Sequence, residues 1–186
     1  MNQEDLRSRL FIELDCVTLD AKKVAGDLTP AQLSWQPPGG GWSVAQVLEH
    51  LVIAHESYLN VMRPLIYERS AAHADGGTAA WEPSLMGWML VAALRSSRKL
   101  PAPTLFKVTT APRDGVLDAF KTRQNIVTTF LRAASALDWT RVRFSSPAAR
   151  WVRLNLGDAF MILTVHAQRH VKQMEAVRDQ AGFPKG

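Results

Sequence analysis

The segment Asn155-Leu-Gly-Asp-Ala-Phe-Met-Ile-Leu-Thr-Val-His166-Ala-Gln-Arg-His170-Val-Lys-Gln173-Met-Glu-Ala-Val177 decides how this chain is read. Leu156, Phe160, Leu163, Ala167, Met174 and Val177 recur every three or four residues, the period of a helical stripe that buries itself. Asn155 stands where an N-cap belongs, and Asp158 three residues on places an acid at the positive end of the helix dipole. His166 and His170 fall four apart, so their rings lie one turn apart on the apolar face. Rings on that face need partners, because a buried polar group without one is costly. A divalent metal satisfies both rings; water or single hydrogen bonds also do, and the spacing alone does not choose. Ala167 follows the first histidine, so the helix lacks the adjacent glutamate of the His-Glu-x-x-His metalloproteases. A third ligand has to come from elsewhere in the chain.

The start of a second helix is equally well marked. In Trp42-Ser43-Val44-Ala45-Gln46-Val47, Ser43 is the N-cap, Gln46 completes a capping box, and Trp42 is set to pack on Val47. The helix runs to about residue 68, with Pro64 expected to kink it or end it early. Val47, His50, Leu51, Ala54, Tyr58 and Val61 share its inward face. His55 lies roughly 140° around from His50 and is read as partly exposed. Glu49 points away from His50 and is not assigned as a base.

The rest of the chain reads as further helices. Residues 4–26 carry a broad apolar face through Leu6, Leu10, Ile12, Leu14, Val17, Leu19 and Val24, with Cys16 as a small core residue. Thr29 caps a short turn with Pro30 at its first position. Residues 83–99 read as an extra helix, with Arg95, Arg98 and Lys99 at the end where the dipole favours cations. Asp114 is read as the cap of a long helix over 115–137. Residues 138–154 read as a loop anchored by Trp139, Phe144 and Trp151. His73 sits in a Gly-rich connector and is given no role. These patterns describe an all-α four-helix bundle, residues 1–186 as a single domain, with a long crossover connection over 69–113 that carries the extra helix.

Composition narrows the function classes. Of 186 residues 47% are hydrophobic and 21% charged, the balance of a folded globular chain rather than a disordered one. A single cysteine excludes an internal disulfide framework and a multi-cysteine zinc site. The N-terminal residues carry no signal-peptide pattern, and the apolar run 85–94 is half of what a membrane span needs, so the expected location is cytoplasmic. That run also offers a face for a homodimer. The net charge of +5 includes a cluster at Arg141, Arg143, Arg150 and Arg153. No nucleic-acid-binding signature accompanies it. A solvated loop is the plain reading of this cluster, and steering of an anionic substrate the alternative.

Taken together, Trp42-Ser43-Val44-x-x-Val47-Leu48-x-His50-Leu51 and His166-x-x-x-His170-x-x-Gln173 resemble the two helix motifs of the DinB/YfiT-like superfamily of metal-binding four-helix bundles. The resemblance spans nearly the whole chain and implies a divalent metal, zinc or nickel foremost, held by His50, His166 and His170. These three histidines are also the ones on core-facing stripes. Gln173 is positioned to hydrogen-bond a ligand histidine or to touch substrate, with a structural core amide as the alternative reading. Three neutral imidazoles leave an open coordination position, as in catalytic rather than closed structural sites.

The resemblance also implies a small-molecule substrate. Superfamily members include transferases that use a low-molecular-weight thiol and metal-dependent hydrolases. Transfer of a thiol needs no protein carboxylate, which suits a helix without the glutamate, whereas hydrolysis needs a base that the sequence does not reveal. The alternative is a non-catalytic, stress-associated bundle whose ion stabilises the fold. Nucleic-acid binding ranks behind both.

Overall fold

The computed structural model describes residues 2–68, 80–98 and 100–185. Helix α1 (Gln3–Ala25) begins at Asn2, whose side chain accepts from the Glu4 amide, and ends at Gly26. Leu6, Leu10, Leu14, Val17, Ala21 and Val24 are its buried stripe. Ile12 and Leu19 are both 66% exposed. They lie on the opposite side of the helix from that stripe, which is already complete without them, so the expected inward face was too broad. Cys16 is likewise exposed, not a core residue.

A short helix α2 (Pro30–Ser34) follows, with the expected Thr29 capping box. Helix α3 (Val44–Tyr67) starts at Ser43, and Gln46 closes its box as the sequence predicts. Pro64 does not end it early. It lies in the last turn, where the lost amide donor removes one bond near a terminus that has few left to make.

Beyond the connection, helix α4 (Leu85–Arg95) is shorter than its 83–99 pattern, with Ser84 as cap and Ser96 at its end. His73 and Lys99 lie outside the described residues. A short turn at Thr104–Phe106 leads to helix α5 (Val116–Ala133). Its N-cap is Gly115 at φ 63°, a left-handed conformation that favours glycine, and not Asp114. Helix α6 (Leu156–Arg178) opens on a complete Asn155–Asp158 capping box. Among the described residues no helix is long and apolar enough to cross a membrane.

The four long helices form the bundle. α3 packs on α5 and α6, and α1 packs on the same two, so α1 lies across a diagonal from α3, and α5 from α6. α4 lies outside, against α6. Segment 138–154 is not a plain loop. It folds as an antiparallel hairpin of β1 (Arg143–Ser146) and β2 (Ala149–Asn155), with Phe144 opposite Leu154 and a register shift at Ser145/Ser146. Phe144, Val152 and Leu154 point inward while Arg143 and Arg153 face out, the two-residue period of a half-buried strand. Trp139 is fully buried, but Trp151 is 74% exposed because it falls on the outward side of that alternation. The hairpin is a small addition to a helical bundle.

The approach of α4 to α6 depends on two glycines. A Cβ on Gly87 would lie 2.1 Å from the Asp158 carboxylate, and one on Gly157 would lie 2.1 Å from the Trp81 indole nitrogen. Both positions lie in the polar node at the start of α6. There Asn155 accepts from Trp81 Nε1 at 3.1 Å, and Asp158 accepts from the Ser84 amide at 3.2 Å.

His55 is fully buried, against the expectation of partial exposure. Its Nδ1 donates to the Leu51 carbonyl at 2.7 Å, and its Nε2 lies 2.9 Å from the Gln124 side-chain oxygen on α5. A half turn of that amide puts its otherwise unpartnered Nε2 on the ring's lone pair, the arrangement a neutral His55 requires. The helix-wheel position was right, but α5 covers that side of α3 as α6 covers the other.

Burial pushes His55 down from 6.5 to about 4. The folded chain therefore binds fewer protons than the unfolded chain inside that window. Stability is full above about pH 6.5 and falls with acid until about pH 4, by about 1.4 kcal/mol per unit for this group. Urea unfolding across that range should show a shallower acid dependence for His55→Gln than for the parent chain. Equal slopes for the two would refute the assignment.

Candidate metal centre

Three of the five histidines meet at one point. α3 supplies His50, two turns from its Ser43 cap, and α6 supplies His166 and His170 from successive turns. His166 Nε2 lies 3.0 Å from His50 Nε2 and 3.1 Å from His170 Nε2. One ligand atom from each ring lies within 4.8 Å of those of the other two. His50 is 2% exposed, and the other two are half-buried.

Hydrogen bonds on the far sides of the rings define the chemistry of this cluster. His50 Nδ1 donates to the Phe106 carbonyl at 2.7 Å, and His170 Nδ1 donates to Gln173 Oε1 at 2.7 Å. A neutral imidazole carries one proton, so both rings keep a bare lone pair on Nε2. Both lone pairs are aimed at His166 Nε2, which can offer at most one proton between them. A shared cation resolves that conflict for all three. Nitrogens each ~2.0–2.1 Å from one ion at near-tetrahedral angles sit roughly 3.0–3.4 Å apart, in keeping with the two short separations here. The donor set therefore fits a divalent metal.

Electrostatics favour the same state. Burial, then the neighbouring rings, drive His166 well below the ordinary histidine range and His170 down to about 3. Burial lowers His50 as well, against the Phe106 carbonyl, which raises it. All three are neutral at neutral pH, the form that ligates metals.

The surroundings confine the cluster. The Trp42 ring lies 4.8 Å from His50 and stacks at 6.3 Å on His170. The tryptophan before the helix cap thus packs against the histidines. A cavity of about 1050 Å³ opens on all three rings, walled by Tyr58, Leu90, Leu94, Phe106 and Ile162 among others. Its lining from the crossover connection comes mainly from the end of α4, Ser96, Ser97 and residues 100–103, with only Ala148 from the hairpin. Of the stretches least readable from the sequence, 101–113 supplies Pro101, Ala102, Pro103 and Phe106 to this lining. Arg141, Arg143, Arg150 and Arg153 are exposed on and beside the hairpin, and none lines the cavity.

Glu49 is not a base for this site. It is 6% exposed and grips Arg113 through both carboxylate oxygens, at 2.8 and 2.9 Å, while also accepting from the Arg113 amide at 3.1 Å. Its carboxyl is held below the usual range by Arg113 although burial opposes this. Glu56 accepts from Arg113 and Arg123. This brace fastens the end of the crossover connection to α3, a few residues from the Phe106 carbonyl that orients His50. Neither Phe106 nor Arg113 was singled out from the sequence. A backbone carbonyl carries no residue signature, and the Glu49–Arg113 pair spans 64 residues.

Comparison with known proteins gives a consistent picture. The family model described as "DinB superfamily" matches residues 17–174. No protein with a curated description matches the chain. Among solved structures, YfiT from Bacillus subtilis superposes with a TM-score of 0.60 at 18% identity, over 96% of this chain and 89% of that one. That protein is described as "a probable metal-dependent hydrolase with an unusual four-helix bundle topology". At this identity the likeness concerns the fold.

Gln173 orients His170 through its oxygen alone. Gln173→Leu should weaken zinc binding by roughly 10–100-fold, the usual cost of removing a hydrogen-bond partner from a ligand histidine. Gln173→Glu, which keeps an acceptor there, should restore most of it. Competition with a chelating dye measures both, and unchanged affinity in Gln173→Leu would show that the bond has no such role.

Proposed function

The chain belongs to the DinB superfamily, and on that premise we propose that it is a metal-dependent enzyme acting on a small molecule. His50, His166 and His170 are its metal ligands, with zinc or nickel the ions that the family resemblance implies and that three imidazoles accept. The observation that carries this reading is the convergence of three neutral imidazole nitrogens on the wall of a cavity large enough for a substrate. A divalent ion in such a site supplies positive charge that acidifies a thiol or water in its open position.

The chain's own groups do the rest. Phe106 and Gln173 keep the lone pairs of His50 and His170 turned inward. Trp42 and Phe106 cover the sides of His50 and limit water there. Glu49, the acid nearest in sequence, is committed to Arg113. No carboxylate lines the cavity among the described residues, so no side-chain acid is placed to act as general base. That favours transfer of a low-molecular-weight thiol to an electrophile over hydrolysis. The description of YfiT favours the hydrolytic reading, which stands as the second choice. Cytoplasmic residence and action as a homodimer belong to the same proposal, the latter through the exposed Leu85, Trp88 and Met89 of α4.

Purified protein should take up one divalent ion per chain, and His50→Ala should lose it while remaining helical by circular dichroism. The loaded protein should conjugate a thiol to an aryl halide, and His166→Ala should abolish that rate. Stoichiometric metal with no turnover across thiols and ester substrates, together with a large fall in melting temperature on chelation, would favour a purely structural ion instead.

A further inference from the structure

The charges around the cavity are one-sided. Arg95, Arg169 and Lys172 line it, and among the described residues none of the three makes an ion pair with a carboxylate. Arg95 and Lys172 are solvent-exposed, on α4 and α6 respectively. Arg169 is held differently. Its guanidinium donates to the carbonyls of Leu94, Ser96 and Arg98 at and just beyond the end of α4. Those carbonyls would otherwise make that end of α4 a negative rim. Arg169 covers them and leaves an uncompensated positive charge at the wall. Three cations around one cleft with apolar walls focus a positive field into it. Neutral imidazoles do not offset that field.

The cavity also has apolar lining. Leu90 and Leu94 of α4 and Ile162 of α6 line it with hydrocarbon surface alongside the charged groups of the same two helices. A ligand matched to both has an apolar body and an anionic end.

We propose that the cavity selects amphiphilic carboxylates, with the carboxylate on Arg95 and Lys172 and the apolar body on Leu90, Leu94 and Ile162. This names the substrate class of the site described above and rests on its being a small-molecule site, but not on the ion. Arg169 serves as the positioning residue, holding the end of α4 so that Arg95 faces the cleft. The hairpin arginines take no part. The selection acts on the carboxylate-bearing substrate as a whole, whichever of its groups reacts.

The experiment compares two probes with the same ring system and opposite charge, naphthoate and naphthylmethylamine, by titration calorimetry on metal-free and zinc-loaded protein. Naphthoate should bind both forms, with the amine weaker by roughly tenfold or more, and added salt should narrow the gap. The double variant Arg95→Gln/Lys172→Gln should lose about tenfold in naphthoate affinity and change little towards the amine. Hairpin variants Arg150→Gln/Arg153→Gln should leave naphthoate binding as it was. Equal affinity for the two probes, binding of neither, or a double variant that binds naphthoate like the parent overturns the proposal. Zinc uptake is read separately. Carboxylate selectivity without zinc uptake would retire the metal reading and keep this one, and zinc uptake without selectivity would do the reverse.

Discussion

The structure depends most on the reciprocal hydrogen bonds between Asn155 and Asp158. The Asn155 side chain accepts from the Asp158 amide at 2.9 Å, and the Asp158 carboxylate accepts from the Asn155 amide at 2.9 Å. Together they satisfy amides that the first turn of a helix leaves free. The same two side chains hold the crossover connection. Asn155 also binds the Trp81 indole and donates to the Glu82 carbonyl, and Asp158 receives the Ser84 amide that precedes α4. One pair of side chains therefore sets where α6 begins and where α4 docks on it. The first decides where His166 and His170 fall. The second decides where the cavity wall stands. Gly87 and Gly157 are the sequence's concession to how closely these elements approach.

The electrostatic design of the site follows from what is kept out of it. The bundle interior lowers the proton affinity of the three rings, so they remain neutral donors. Acid is sequestered: Glu49 and Glu56 are neutralised by Arg113 and Arg123 on the α5 side of α3. Arg95, Arg169 and Lys172 line the cavity, and among the described residues none of them pairs with a carboxylate. The Glu49–Arg113 brace also ties the crossover connection to the same helix that carries His50. The connection thus contributes twice, through α4 as a wall and through the Phe106 carbonyl as the group that fixes a tautomer.

Much of this was legible residue by residue. The capping residues Thr29, Ser43 and Asn155 stood out because a cap is a local device, confined to four consecutive positions. His50, His166 and His170 were legible because each lies on a stripe that has to face inward. The hairpin was passed over although Val142–Phe144 and Val152–Leu154 alternate. Such short runs are hard to tell from a loop when charged residues occupy every second place. Ile12, Leu19 and Cys16 were misplaced because the face of α1 was drawn too broad, and His55 because α5 covers a second side of α3. A single helix has two sides that tertiary packing can bury, and periodicity does not tell which neighbours will cover which.

What the amino-acid order determined unaided was the set of long helices, the caps at Thr29, Ser43 and Asn155, and the inward stripes that carry His50, His166 and His170, since these follow from local hydrogen bonding and from a period of 3.6 residues. What only the tertiary structure decided was everything built from partners distant in the chain. The His50–His166 approach spans 116 residues, the Trp81–Asn155 bond 74 and the Phe106 carbonyl on His50 56. The physical reason is that such contacts are chosen by how four helices and one connection pack at close quarters. Backbone carbonyls and unpaired cations acquire their roles only where that packing sets them down.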